Sequence, residues 1–226
     1  MGYWEPKIVK MYRIVFLLLS SMLLFSCKEK KMDTIDMPYY NDPDFNPIFI
    51  KNKIEVAEKI THQIDSFSFL NQDSIIVTQS IFKNKIHVAN FIFTTCGSIC
   101  PIMTSNFKMV SDSFKNNNNI VMLSYSVTPW IDKPSVLKKY INKNGINNLN
   151  WHFLTGDRTS IYKLARQSYF AEENIGFSKD SSQFLHTEHV ILVDRTNRIR
   201  GVYNGTLSLE MQHLIEDIRS LENENN

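Results

Sequence analysis

Within Val88–Met103 (VANFIFTTCGSICPIM) an apolar run, a small-residue loop and the start of a helix meet around two cysteines, and this junction constrains the fold more than any other stretch. Val88-Ala89-Asn90-Phe91-Ile92-Phe93 has the length and the β-branched and aromatic content of a strand covered on both faces, as in a parallel sheet. Thr94, Thr95, Gly97 and Ser98 end it in a turn. Pro101 suits the first position of a helix, where its missing N–H removes a donor that would lack a partner anyway. Met103, Phe107, Val110 and Phe114 then repeat at the spacing of one buried helical face, and Lys115 with Asn116–Asn119 closes it.

Cys96 and Cys100 therefore sit at the top of a strand and the mouth of a helix, where backbone N–H groups and the positive end of the dipole favour thiolate over thiol. Across a turn their sulfurs can converge. The spacing allows a disulfide or a shared soft metal ion, Cu(I) or Zn(II), since thiolates prefer these to hard cations. Two unconnected core cysteines are the plain alternative.

Thr94-Thr95-Cys96-Gly97-Ser98-Ile99-Cys100-Pro101 resembles the Sco/SenC family of copper-handling proteins, whose motif is an apolar strand, T-x-C-x-x-x-C-P and a helix. The family's third ligand is a histidine six residues before the Leu or Ile of a late strand, commonly followed by Thr or Ser. His186-Thr187, with Leu192 six positions on, meets that demand, and His189 is the rival. The resemblance implies a thioredoxin-like α/β fold and a site of Cys96, Cys100 and His186 that takes Cu(I) or Cu(II). It also implies a metallochaperone, rather than an enzyme, that serves assembly of the binuclear copper centre of cytochrome c oxidase, with the oxidase's copper-bearing subunit as partner. The same cysteines equally suit a thiol–disulfide oxidoreductase that keeps cysteines of the oxidase or another envelope protein reduced. Two departures touch partner recognition: Val127-Thr128-Pro129 stands where the family often has Val-Asp-Pro, with Asp132 nearby, and Asp194-Arg195-Thr196-Asn197 replaces the usual Gly-Pro-Asp-Gly turn.

The N-terminus reads as a targeting segment. Lys7, Lys10 and Arg13 precede the apolar run Ile14–Phe25, which is shorter than the ~20 residues a membrane-spanning helix needs. Leu24-Phe25-Ser26-Cys27 then looks like a bacterial lipobox, with Cys27 as the lipidated residue and either Met1 or Met11 as the start. This predicts a signal peptide over 1–26, a tether and Pro-rich arm over 27–47, and one domain over 48–226, held to the membrane and facing the periplasm. Without residues 1–26 the chain carries 22 basic and 22 acidic residues, so no basic excess argues for nucleic acid.

Within the domain, Phe67-Ser68-Phe69 and Ile75-Ile76-Val77 read as a β-hairpin and Ile120–Val127 as a strand. Pro134–Ile141 reads as a helix behind Asp132, Asn150–Leu154 as a short strand, and Asp157 as the cap of a helix through Arg166. His189–Val193 and Ile199–Tyr203 read as paired strands, followed by a helix over Leu209–Leu221. Strand alternating with helix implies a parallel sheet between helices. The polar stretch Phe170–Leu185 reads as a long insertion loop before the last strand pair, either one that carries His186 toward or away from the sulfurs or a plain surface insertion. His62, His87, His152 and His213 are read as surface or satisfied core residues.

Overall fold

In the computed structural model the described residues are 37–172, 185 and 187–224, so Cys27, His186 and most of the insertion loop lie outside them. The strands are β1 (Ser68–Asn71), β2 (Ile76–Thr78), β3 (Ile86–Ile92), β4 (Ile120–Ser126), β5 (Trp151–Thr155), β6 (His189–Val193) and β7 (Ile199–Asn204). They form one seven-stranded sheet in the order β2-β1-β5-β4-β3-β6-β7. β3, β4 and β5 run parallel, while β6 lies antiparallel to both β3 and β7. All seven residues of β3 and of β4 are buried, which is why both are mostly apolar on both faces, with His87, Asn90, Ser124 and Ser126 as buried polar exceptions.

The helices are α1 (Lys53–Lys59), α2 (Ile99–Phe114), α3 (Pro134–Lys143), α4 (Arg158–Lys163), which runs on as a π turn over Leu164–Ser168, and α5 (Ser208–Asn223). On one face of the sheet Phe107 and Val110 of α2 and Met211 and Leu214 of α5 pack on Val88, Met122, Trp151 and Leu192. On the other, Ile161, Leu164 and Tyr169 cover Phe91, Leu123, Tyr125 and Ile191. Each such side chain contributes about 1.5–3 kcal/mol by leaving water, so the two faces pin β3 from both sides. The thioredoxin-like arrangement expected above is the one observed.

One helix start differs from expectation, and a second, at Pro134, falls where expected but without a side-chain cap. α2 begins at Ile99, two residues before Pro101, so Cys100 lies inside the first turn instead of ahead of it. Proline is tolerated there because none of the first four N–H groups of a helix has an intrahelical acceptor. α3 is entered through Lys133, which makes no side-chain cap. Asp132 has instead turned inward, with consequences for the site.

Residues 37–48 form an arm that folds back on itself beside β7. Tyr39 bridges to Ile48 and Tyr40 to Ile199. Arg200 clamps the arm by donating to the carbonyls of Met37 (3.0 Å) and Pro38 (2.9 Å), and its guanidinium lies 4.0 Å from the centre of the Tyr39 ring. Phe45 then turns back to set its ring edge-on against Phe170 and His189, at 6.2 and 5.7 Å.

Candidate functional site

The cysteine loop hangs from the carboxyl end of β3, where a parallel sheet opens onto its helix termini. The Cys96 N–H donates to the Phe93 carbonyl (3.3 Å), turning the chain toward α2. Cys100, in the first turn of α2, is buried at 3% exposure, whereas Cys96 is partly exposed; both are free thiols.

Four donors converge on the Asp132 carboxylate, which is fully buried. The Thr94 N–H and hydroxyl reach it from the cysteine loop. The hydroxyls of Ser126 (2.6 Å) and Thr128 (2.9 Å) reach it from the end of β4. Asp132 thus staples the start of the loop to β4. Thr128, a departure from the family pattern, serves as one of the donors.

The two thiols are unequal. Burial pushes the Cys96 pKa up, but hydrogen bonds from the backbone N–H groups of Cys100, Ser98 and Ile99 and from the Cys100 thiol outweigh it, and the net shift is downward. Cys100 is pushed up to about 12, chiefly by burial, and further by its contact with Cys96 and the charge of Asp132; a backbone hydrogen bond from Phe93 only partly offsets this. The helix-mouth argument therefore holds for Cys96 and fails for Cys100, where depth of burial wins. Iodoacetamide is accordingly expected to label Cys96 at least tenfold faster than Cys100 in the reduced protein near neutral pH, read by peptide mass spectrometry. Equal rates would show that the N–H cluster does not single out Cys96.

The segment that follows His186 is held against the same helix. Glu188 accepts the Gly205 N–H (2.8 Å), and Asn106 of α2 donates to the Gly205 carbonyl (3.0 Å). A Cβ at Gly205 would meet Met103 and Val190 at 3.0 Å, so glycine is what lets this link approach so closely. The Thr187 hydroxyl accepts the His189 N–H (3.0 Å), turning the chain into β6. His189 itself is partly buried in the strand beside Phe45. Among the described residues no three His, Cys, Asp or Glu side chains converge as a metal site; His186 lies outside them.

The other histidines lie in the core or at the surface, but the Nδ1 atoms of His87 and His152 are buried without a hydrogen-bond partner among the described residues. His87 is fully buried on β3, His62 bonds the Ser168 carbonyl (2.7 Å), His152 lies partly buried in β5 and His213 is exposed on α5. Asp132 and the Asn106–Gly205 link are the site features that sequence reading did not identify. Thr94 lies 38 residues from Asp132 and Gly205 lies 99 from Asn106; the nearer donors to Asp132, Ser126 and Thr128, stand six and four residues before it and do not by themselves mark it as their acceptor.

Comparison with known proteins agrees with this fold. The model of the SCO1/SenC family matches residues 56–223. A SCO1/SenC family lipoprotein from Bacillus anthracis str. Ames is 28% identical, with a TM-score of 0.62 over 72% of this chain and 96% of that one. BsSco, described as a member of the Sco family of cytochrome c oxidase assembly proteins with a disulfide switch, is 30% identical, with a TM-score of 0.61 over 73% of this chain and 95% of that one. The copper-bound ScoI of Bradyrhizobium japonicum, 22% identical with a TM-score of 0.56 over 71% of this chain and 99% of that one, shares the fold.

Proposed function

Because the chain belongs to the SCO1/SenC family, we propose that it is a copper-binding metallochaperone of the bacterial cell envelope that serves assembly of the cytochrome c oxidase binuclear copper centre. Copper is its cargo. Cys96 and Cys100 supply two soft thiolates and His186 a neutral imidazole, a set that suits Cu(I) and, through the nitrogen, accepts Cu(II). The observation that carries this reading is the pair of free thiols at the open carboxyl end of the sheet, with the Cys100 thiol donating to Cys96 and Cys96 biased toward thiolate. The hold on Glu188 supports His186 as the third ligand, since it keeps the adjoining chain against the helix that bears Cys100. Thiol–disulfide exchange with an oxidised disulfide of another molecule, which takes up the two electrons and two protons and leaves as a dithiol, converts the pair to a disulfide and removes both soft donors, so redox state gates the cargo.

Attachment through a lipid on Cys27, after a signal peptide over 1–26 and ahead of a tether and arm over 27–47, completes the proposal. The lipoprotein relative from Bacillus anthracis supports it. No helix among the described residues is long and apolar enough to cross a membrane. The partner is the copper-bearing subunit of the oxidase, in keeping with the assembly role described for BsSco.

Anaerobic copper titration of the reduced protein tests the reading, followed by absorption and electron paramagnetic resonance. One equivalent bound through sulfur and nitrogen is expected. His186→Ala should lose the nitrogen signature and at least tenfold in Cu(II) affinity while disulfide exchange persists. An unchanged Cu(II) spectrum in that variant overturns the ligand set and turns attention to His189.

The inequality of the thiols favours a second reading, a thiol–disulfide oxidoreductase with Cys96 as attacking and Cys100 as resolving sulfur. Absence of tight copper binding, with rapid reduction of a disulfide substrate, would select it.

A further inference from the structure

One cavity takes no part in copper handling. It lies at the opposite pole of the sheet, has a volume of about 250 Å3, and is enclosed by α1, the β6–β7 turn and the end of α5. Val56, Ile86 and Leu221 give it apolar wall, while Lys53, Arg195 and Arg198 line it with positive charge. Its two carboxylates, Asp194 and Glu224, are both engaged by Arg200, at 3.3 and 2.6 Å. Arg195 and Arg198 donate to carbonyls, of Leu221 and Ile60, and with Lys53 form no ion pair among the described residues. Four cations thus face two carboxylates that are already used. On a domain whose acidic and basic residues balance, this excess is local, and partly buried cations without counter-charge are costly.

The arm enters the fold at this same wall, because Arg200 holds Met37 and Pro38 by their carbonyls. Cys27 lies ten residues before Met37, an extended reach of at most ~36 Å. A lipid on Cys27 would hold Met37, and the wall that it joins, within that reach of the membrane. We propose that the cavity receives the headgroup of an anionic phospholipid of the anchoring leaflet, with the phosphate among Lys53, Arg195 and Arg198 and the first apolar carbons against Val56 and Leu221. Attraction of basic side chains to an anionic leaflet is the general physics of such contacts. Seated this way, the domain raises its cysteine loop by the length of β3, roughly 20 Å, and turns it away from the bilayer toward a recipient that stands out from the membrane. The inference rests on the proposed Cys27 anchor.

Hydrogen exchange of the mature lipoprotein in vesicles tests it, comparing phosphatidylcholine alone with phosphatidylcholine mixed with phosphatidylglycerol. Peptides covering 53–60 and 194–199 are expected to exchange severalfold more slowly only with the anionic lipid, and the difference should fade at high salt. Peptides covering 94–103 should not change. Lys53→Glu, on the exposed rim, and the double variant Arg195→Glu with Arg198→Glu should each abolish the protection; the first leaves the buried carbonyl bonds intact and so controls for misfolding. Equal exchange in the two vesicles, protection reproduced by inorganic phosphate without anionic lipid, or equal protection of 94–103 would overturn the proposal. The anchor is read separately, from the mass of the mature protein and its loss of lipid in Cys27→Ser. If no lipid is found, vesicles added to the free protein still decide the cavity by the same exchange pattern.

Discussion

Asp132→Ala is expected to lower the unfolding free energy by about 3 kcal/mol, because it strands buried donors at ~1–3 kcal/mol each, some of which relax toward water. The carboxylate has no exposure and takes the N–H and hydroxyl of Thr94 together with the hydroxyls of Ser126 and Thr128. Urea unfolding should show a lower midpoint with an unchanged slope, since the surface exposed on unfolding is the same. Asp132→Asn should cost less than half as much, since it keeps the shape and one oxygen and the facing hydroxyls can rotate to accept from the new amide. The functional effect should follow the same order. With Thr94 released from β4 the loop loses the geometry that aims the N–H groups of Ser98, Ile99 and Cys100 at Cys96. The labelling preference for Cys96 should therefore shrink in Asp132→Ala and largely survive in Asp132→Asn. If both variants unfold like the unmodified protein, the carboxylate is not what holds the loop.

Much of this architecture was legible because its signals are local. Val88–Ile92 reads as a doubly covered strand from its own composition, and Met103, Phe107, Val110 and Phe114 are all buried at the spacing that marks them. Asp157 caps α4 through the Ser160 N–H (2.8 Å), again within one turn. Illegible features depend on distant chain. Asp132 stands before a helix and resembles a cap, yet its carboxylate turns back to Ser126 and Thr128 and across to Thr94, 38 residues away. Cys96 and Cys100 share one helix mouth, but the packing around α2 decides that one is partly exposed and the other sealed. Arg200 looks like a surface cation on an edge strand until the arm folds over it. His87, read from the sequence as a surface or satisfied core residue, is fully buried; its partner, Tyr169, is 82 residues away.

That histidine makes the fold sensitive to acid. His87 is fully buried, with its ring stacked on Phe82 at 4.0 Å and Nε2 bonded to the Tyr169 hydroxyl (3.1 Å), which in turn bonds the Tyr125 hydroxyl (3.1 Å). Nδ1 has no hydrogen-bond partner among the described residues. A second ring proton would thus face apolar wall, and burial holds the pKa down at about 3 against 6.5 for the exposed ring. Between those values the unfolded chain takes up a proton that the folded protein refuses, so this contribution to stability is complete above pH 6.5 and is lost as pH falls toward 3. The slope approaches about 1.4 kcal/mol per pH unit, and several kcal/mol is a large share of a typical ~5–15 kcal/mol stability. His152, whose pKa burial also lowers, adds in the same direction. Urea unfolding at a series of pH values should show this decline, and His87→Phe, which keeps an aromatic ring against Phe82, should flatten most of it. Because His87 pairs in register with Val121 of β4 and Val193 of β6, opening there frees the strand that carries the cysteine loop. Loss of stability and loss of the Cys96 labelling preference should then share one acid midpoint; a preference that persists below that midpoint would mean the loop is held independently of the sheet beneath it.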